Sequence, residues 1–180
     1  MNRKIRILIT LLFFLLTNIE STYSQSLEPN KEISLELIST TKAIFLNPSF
    51  SYRISRHYPY VGLLIGRHHT LNGDGLGLNL GDSFFPNGRN NRFNLFFTGS
   101  YHVVSFRNLS SSSLIENILV NQLTFGYGVE CNLSKKISIH TSFSLGFLVE
   151  KRNFIQPIEK SSNYDTAGIL SIGINYKILN

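Results

Sequence analysis

From residue 32 onward, apolar side chains occupy every second position in one segment after another. The clearest case is 122–150. Leu123, Phe125, Tyr127, Val129 and Cys131 share one parity, opposite Gln122, Thr124, Gly126, Gly128 and Glu130. After the polar turn Asn132-Leu133-Ser134-Lys135-Lys136 the pattern resumes. Ile137, Ile139, Thr141, Phe143, Leu145, Phe147 and Val149 oppose Ser138, His140, Ser142, Ser144, Gly146 and Glu150. A period of two puts successive side chains on opposite faces of an extended strand. Each run is about twice the five or six residues usual in globular strands. The polar face is rich in Gly and Ser rather than Lys and Glu, which suits the narrow inside of a barrel whose outside is apolar. The pattern therefore predicts transmembrane strands.

The same alternation predicts further strands near 32–39, 43–55, 58–69, 76–85, 92–106 and 166–178. Leu71-Asn72-Gly73-Asp74-Gly75 and Pro86-Asn87-Gly88-Arg89-Asn90 are tight-turn sequences, because Asn and Gly tolerate positive φ. Pro48 interrupts the second strand and, lacking an N–H, is expected at an edge or bulge. The longer polar connections, 107–116 and 151–164, fall on one side of the strand set, and the other side has only short turns. The expectation is an all-β fold, an eight-stranded antiparallel up-and-down transmembrane β-barrel. Closure follows because an open sheet in lipid would strand its edge N–H and C=O groups. Tyr52, Tyr58, Tyr60, Phe84, Phe93, Tyr127 and Tyr176 near one set of strand ends, and Phe45, Tyr101, Phe106 and Phe147 near the other, read as interfacial aromatic girdles.

The N-terminus changes the picture of the mature chain. Arg3, Lys4 and Arg6 precede an apolar stretch from Ile7 to Leu16, and Thr22-Tyr23-Ser24 supplies small residues for cleavage. This is the build of a secretory signal peptide, and the apolar stretch is short of the ~20 residues a spanning helix needs. The expected division is a signal peptide at 1–24, a periplasmic tether at 25–31 and the barrel at 32–180. Losing 1–24 removes three of 17 basic and one of 11 acidic residues, leaving a net charge of +4 that forms no nucleic-acid patch. Charged residues make up 16% of the chain and mean hydropathy is +0.03, as expected if half of each strand faces lipid and half a polar lumen. The single Cys131 has no disulfide partner in the chain and reads as a small hydrophobe.

Several stretches together carry a family resemblance: the leader ending TYSQ, NPSFSYRISRHYPYVGLLIG, FFPNGRNNRFNLFF and the terminal GILSIGINYKILN. In these the chain resembles the small eight-stranded outer-membrane β-barrels of Gram-negative bacteria, the OmpA/OmpX-like and "outer membrane protein beta-barrel domain" type. The resemblance implies an outer-membrane location, contact with outer-membrane lipids and lipopolysaccharide, and handling by the outer-membrane assembly machinery. That machinery commonly reads a terminal aromatic residue. This chain ends Tyr176-Lys177-Ile178-Leu179-Asn180, so Tyr176 is expected to serve.

Candidate chemistry lies on the inward parity, where Glu36, Arg53, Arg92, Glu130, Glu150 and Lys177 are expected to form a paired polar network, joined by His68, His102, His140, Gln122 and Asn175. An eight-stranded interior is just wide enough for its own side chains. His140 and Ser142 with downstream Glu150 resemble the His-x-Ser and Glu of barrel lipases that deacylate lipid A, but Phe143 continues the strand and the parity turns the pair inward. His68 and His69, as strand neighbours, point to opposite faces and cannot chelate one ion. Gly73, Gly75 and Gly77 lack the Lys-Ser/Thr and helix of a phosphate loop. No catalytic residue, cofactor or metal is expected. The function expected is non-enzymatic: a side-chain-filled outer-membrane barrel with a structural role, a surface-interaction role, or both, through extracellular loops that could meet an extracellular ligand. The alternatives are a lipid A-modifying barrel enzyme and a soluble periplasmic barrel holding an apolar ligand.

Overall fold

The structure, a computed structural model, describes residues 31–69, 73–107, 115–154 and 160–178. The expected signal peptide and nearly all of the tether lie outside those residues. The elements are β1 (Lys31–Thr40), β2 (Ala43–Tyr52), β3 (His57–His68), β4 (Asp74–Phe84), β5 (Phe93–Arg107), β6 (Ile115–Asn132), β7 (Ile137–Phe154) and β8 (Lys160–Ile178). Each pairs antiparallel with its sequence neighbour. β8 pairs β1 from Lys31↔Ile178 to Thr40↔Ile169, which closes the barrel. The expected eight-stranded up-and-down barrel is the observed one. We call the end holding Lys31 and Ile178 the terminal end and the opposite one the loop end.

Side-chain direction decides what solvent the barrel wants. Phe143, Leu145 and Ile172 are 43%, 59% and 61% exposed on the outer wall, while Ser144 and Ser171 between them are 3% and 5% exposed in the lumen. The outer surfaces of the other strands carry the same kind of row, for example Ile33, Leu35 and Leu37 on β1 and Leu76, Leu78 and Leu80 on β4. Burying one such Leu, Ile or Phe gains about 1.5–3 kcal/mol, so a continuous wall of them is stable only against hydrocarbon. No helix among the described residues is long and apolar enough to cross a membrane; the strands do the crossing.

Three expectations need correction. Pro48 makes neither an edge nor a bulge: Leu46↔Ile65 and Ser49↔Gly62 keep one register, and the ladder to β3 merely lapses between them. The connection expected at 151–164 is mostly strand, since β7 runs to Phe154 and β8 begins at Lys160, with 155–159 outside the described residues. Likewise Arg107 ends β5 and Ile115 begins β6, so residues 108–114 of the other expected loop lie outside the described residues. Residues 160–167 of β8 pair only with β7, so this hairpin stands above the shorter N-terminal strands.

The third correction concerns the lumen, which is not uniformly small and polar. Toward the loop end Ile38, Phe45, Leu64, Val104, Phe106, Ile118, Val120, Leu148 and Ile169 fill it with an apolar cluster. Tyr58, Phe85 and Phe96 form a second cluster toward the terminal end. Phe45, Phe106 and Tyr58, expected in the girdles, are thus inside, as is the Tyr60 ring, which packs over Gly81 on the neighbouring strand. Glycine suits position 81 because a Cβ would collide with that ring and with the Gly99 carbonyl. The inward glycines make room for inward aromatics.

Candidate functional site

The turn between β4 and β5 builds the main feature of the lumen. Pro86 follows Phe85, whose carbonyl accepts from Gly88 N at 3.1 Å, and Gly88 sits at φ 73°. Proline presets the turn and glycine takes the positive φ that reverses the chain. The next residue, Arg89, is thereby carried under the barrel wall and buried at 5% exposure.

Arg89 donates from Nε to Glu130 Oε1 at 3.0 Å, from Nη2 to Glu130 Oε2, and from Nη1 to Glu32 Oε1 at 2.6 Å. Its guanidinium lies 4.5 Å from the Tyr58 ring centroid and 4.4 Å from that of Phe85, a cation–π sandwich. Glu130 also accepts from Ser138 Oγ at 3.0 Å and Asn175 Nδ2 at 3.1 Å, and pairs with Lys177 Nζ at 3.5 Å. Asn132 ties the turn in place, donating to the carbonyls of Arg89 and Asn91 at 3.1 and 2.7 Å and accepting from Lys177. Two carboxylates, Glu32 and Glu130, thus meet two cations, Arg89 and Lys177. Burial alone would pull the turn's guanidinium pKa down, but the Glu130 and Glu32 charges outweigh it and hold it above its ordinary value. Arg89 stays charged.

The other expected network members are distributed rather than gathered. Glu36, further along the lumen, accepts from Asn47 Nδ2 at 2.9 Å and meets His140 Nε2 at 2.7 Å. Glu150 is at the loop end with Lys42 Nζ at 3.6 Å and Arg152. Arg53 lies past the end of β2 and donates Nε to the Ser55 carbonyl at 2.8 Å. Arg92 lies before β5, its guanidinium 5.8 Å from the Phe93 ring centroid. Neither arginine joins the Glu130 cluster in any described contact. Of the six, Glu130 and Lys177 share a described contact. Arg89 and Glu32 are the members the alternation did not single out.

Between the Arg89 cluster and the apolar cluster lies a cavity of about 70 Å³, lined among others by Asn79, His102 and His140. Asn79 Oδ1, His102 Nδ1 and His140 Nδ1 are buried without a described hydrogen-bond partner. The space suits a few waters bridging such atoms.

The lipase-like residues do not assemble. His140 is engaged with Glu36, Ser142 Oγ lies 2.8 Å from Ser171 Oγ inside the lumen, and Glu150 is committed at the loop end. His68 lies edge-on to Phe106, with centroids 5.1 Å apart, while a His69 ring nitrogen is 3.2 Å from the Thr40 carbonyl. Among the described residues no cluster of three or more His, Cys, Asp or Glu could hold a metal ion.

This architecture is that of the small eight-stranded outer-membrane β-barrels. The N-terminal barrel domain of Pseudomonas aeruginosa OprF superposes with a TM-score of 0.57 at 11% identity, covering 83% of this chain and 98% of that one. OprG of Pseudomonas aeruginosa superposes with a TM-score of 0.56 at 13% identity, covering 87% of this chain and 99% of that one. At such identities the likeness is one of fold. No protein-family model and no curated protein matches the sequence.

Proposed function

We propose that the protein is a non-enzymatic integral protein of the outer membrane, its lumen closed by its own side chains, acting as a structural and surface-presenting element. The carrying observation is that two different barriers stand in series in one narrow lumen: the Arg89–Glu130–Glu32–Lys177 cluster and the apolar cluster around Phe45, Leu64 and Phe106. Ions crossing the first would meet an uncharged, packed second, where desolvation is costly.

The loop end supports an outward-facing role. Strands β5–β8 are 15–19 residues long, against 10–12 for β1–β4, and the surplus raises the β7–β8 hairpin above the rim. Arg67, Arg107 and Lys151 continue the outward rows of β3, β5 and β7 and are exposed there. Cations just above an apolar wall suit contact with the phosphates of lipopolysaccharide. A lipid-cleaving enzyme is disfavoured because His140 and Ser142 face the lumen, and a soluble ligand-binding barrel because its outside would be greasy.

Planar-bilayer recording tests the reading. Purified, folded barrel is expected to give no stable conductance steps in ordinary salt. Long-lived channels from the wild-type protein would overturn it.

A further inference from the structure

The outward rows change chemistry at one level. On β7, β8, β1 and β2, four neighbouring strands, the exposed apolar wall runs toward the terminal end through Ile139 and Ile137, Ile172 and Ile174, Leu35 and Ile33, and Leu46 and Phe50. Polar heads then enter the rows. Tyr176 follows on β8, beside Ile33 and Ile137, and Tyr52 follows on β2, both about half exposed. Lys31 continues the β1 row next to Tyr52, and the turn joining β6 to β7 adds Lys135 and Lys136; all three lysines are exposed. The Lys136 carbonyl accepts from Lys177 N at 2.7 Å, and Lys31 pairs with Ile178. Lys136 and Lys31 therefore flank the end of β8, two strand spacings or about 10 Å apart.

No carboxylate answers these cations. Among the described residues none of Lys31, Lys135 and Lys136 meets an acid, and Glu32 and Glu130 are turned into the lumen, committed to Arg89 and Lys177. The loop end differs. There Asp74 stands between Arg67 and Arg107 on adjoining strands, and Asp165 answers Lys42. Tyrosines at the edge of an apolar wall mark the depth of lipid headgroups, and a lysine lays its stem on such a wall with its ammonium at that depth. The unanswered charge is thus held where lipid phosphates lie, rather than out in the solvent where a polymer or a soluble partner would meet it.

We propose that this face, with Lys31, Lys135 and Lys136 beside Tyr52 and Tyr176, is a docking site for net-anionic phospholipids of the terminal-end leaflet. Their phosphates meet the lysines and their acyl chains lie on the wall of β7, β8, β1 and β2. This site rests on the membrane reading above and adds a lipid class and a face to it. A zwitterionic headgroup brings its own cation to a place that already has three, so net charge does the selecting. One lysine at an anionic headgroup layer is worth about fivefold in binding.

Native mass spectrometry tests this on barrel extracted from membranes and delipidated in detergent, its fold verified by heat-modifiable gel mobility. The probes are phosphatidylglycerol, phosphatidylethanolamine and phosphatidylcholine with identical acyl chains. The wild-type barrel is expected to retain phosphatidylglycerol at least about fivefold better than either zwitterionic lipid, an advantage that shrinks as salt is raised. Lys31→Gln, Lys135→Gln and Lys136→Gln together should remove the greater part of that preference. Arg56→Gln with Arg92→Gln, at the same end but on the β3–β5 side, should leave it in place. Equal retention of the three lipids by the wild-type barrel overturns the proposal, even where a variant fails to fold. A preference that the folded lysine variant keeps does the same, as does one that the arginine variant lowers equally, because net charge rather than this face would then be selecting. Lysine-dependent retention on sedimented peptidoglycan, with no lipid preference, would give the face to the cell wall instead. A barrel that leaves membranes without detergent sinks the membrane reading too, whereas one that needs detergent but is unselective loses this site alone.

Discussion

Arg89 and Glu130 are 41 residues apart in sequence, yet the guanidinium of one meets both carboxylate oxygens of the other deep in the lumen. The arginine comes from a turn and the glutamate from a strand, so the pair fixes that turn to β6, while Glu32 on β1 meets the same guanidinium from across the lumen. Each is almost wholly screened from water, with side-chain exposures of 2% and 1%.

Removing one partner from a buried pair leaves an uncompensated charge, at a cost of about 3–5 kcal/mol. Arg89→Met is therefore expected to lower unfolding stability in lipid vesicles by about that much, leaving Glu32 and Glu130 with Lys177 alone. Adding Glu130→Gln should recover part of the loss, because it removes one orphaned charge. Arg92→Met, at the rim, should cost less than about 1 kcal/mol. Urea titration followed by gel mobility measures all three, and equal losses for Arg89→Met and Arg92→Met would contradict the assignment.

The contrast between these two arginines shows how far the sequence could be read. Alternation is local and works where the two faces differ, as at Phe143-Ser144-Leu145, so strand number, closure and outer wall were legible. It was extended past strand ends to include Arg53 and Arg92, where the period no longer applies. Arg89 follows a Pro-Asn-Gly turn, and nothing periodic says where a turn residue points. The expected network, with three carboxylates and three cations, already balances, so no charge surplus points to Arg89. Runs such as Ala43-Ile44-Phe45-Leu46 and Val103-Val104 are apolar on both faces, which hid the apolar cluster.

Tyr60 and Gly81 give a second prediction. Gly81→Ala sets a methyl group against the Tyr60 ring and the Gly99 carbonyl, and overpacking of this kind costs about 1–3 kcal/mol. Removing the ring with Tyr60→Ser in the same chain should relieve the ring's share of the clash, although the Gly99 carbonyl stays in place and a void is left. The double-variant cycle should show a favourable coupling; strict additivity would separate the two residues.

Pro48 should be replaceable. The register is already continuous on either side of it, so Pro48→Ala restores an N–H without moving the strand. A net hydrogen bond gains about 1 kcal/mol, offset by the larger unfolded-state entropy of alanine. The expected change in stability is within about 1 kcal/mol of zero. A loss of several kcal/mol would mean that the proline shapes the barrel.

At the loop end Asp165 lies 3.4 Å from Lys42 Nζ and accepts from Thr166 N at 2.7 Å. That backbone N–H first, and the lysine next, hold its carboxyl below the ordinary 3.8. With the folded value lowered, any stabilisation is present at neutral pH and is lost as acid passes through the lowered value. A carboxyl-carbon NMR titration should place Asp165 below a free aspartate, and Lys42→Met should move it back up. A midpoint at or above 3.8 would contradict the pairing.

Two barriers of different chemistry should fail independently. Arg89→Ala opens space at the terminal end, but the apolar cluster around Phe45, Leu64 and Phe106 still excludes ions. Phe106→Ser loosens that cluster, but the charged plug remains. Neither single variant is therefore expected to conduct, whereas the double variant should show small, brief openings, since only then is the lumen hydrated from end to end. The two sites lie at opposite ends of a rigid sheet with no shared partner, so their effects on stability should add. Conductance, by contrast, should appear only in combination. Single-channel recording of the three variants decides it: openings with Arg89→Ala alone would mean that the apolar cluster is no barrier, and the lumen would have one gate instead of two.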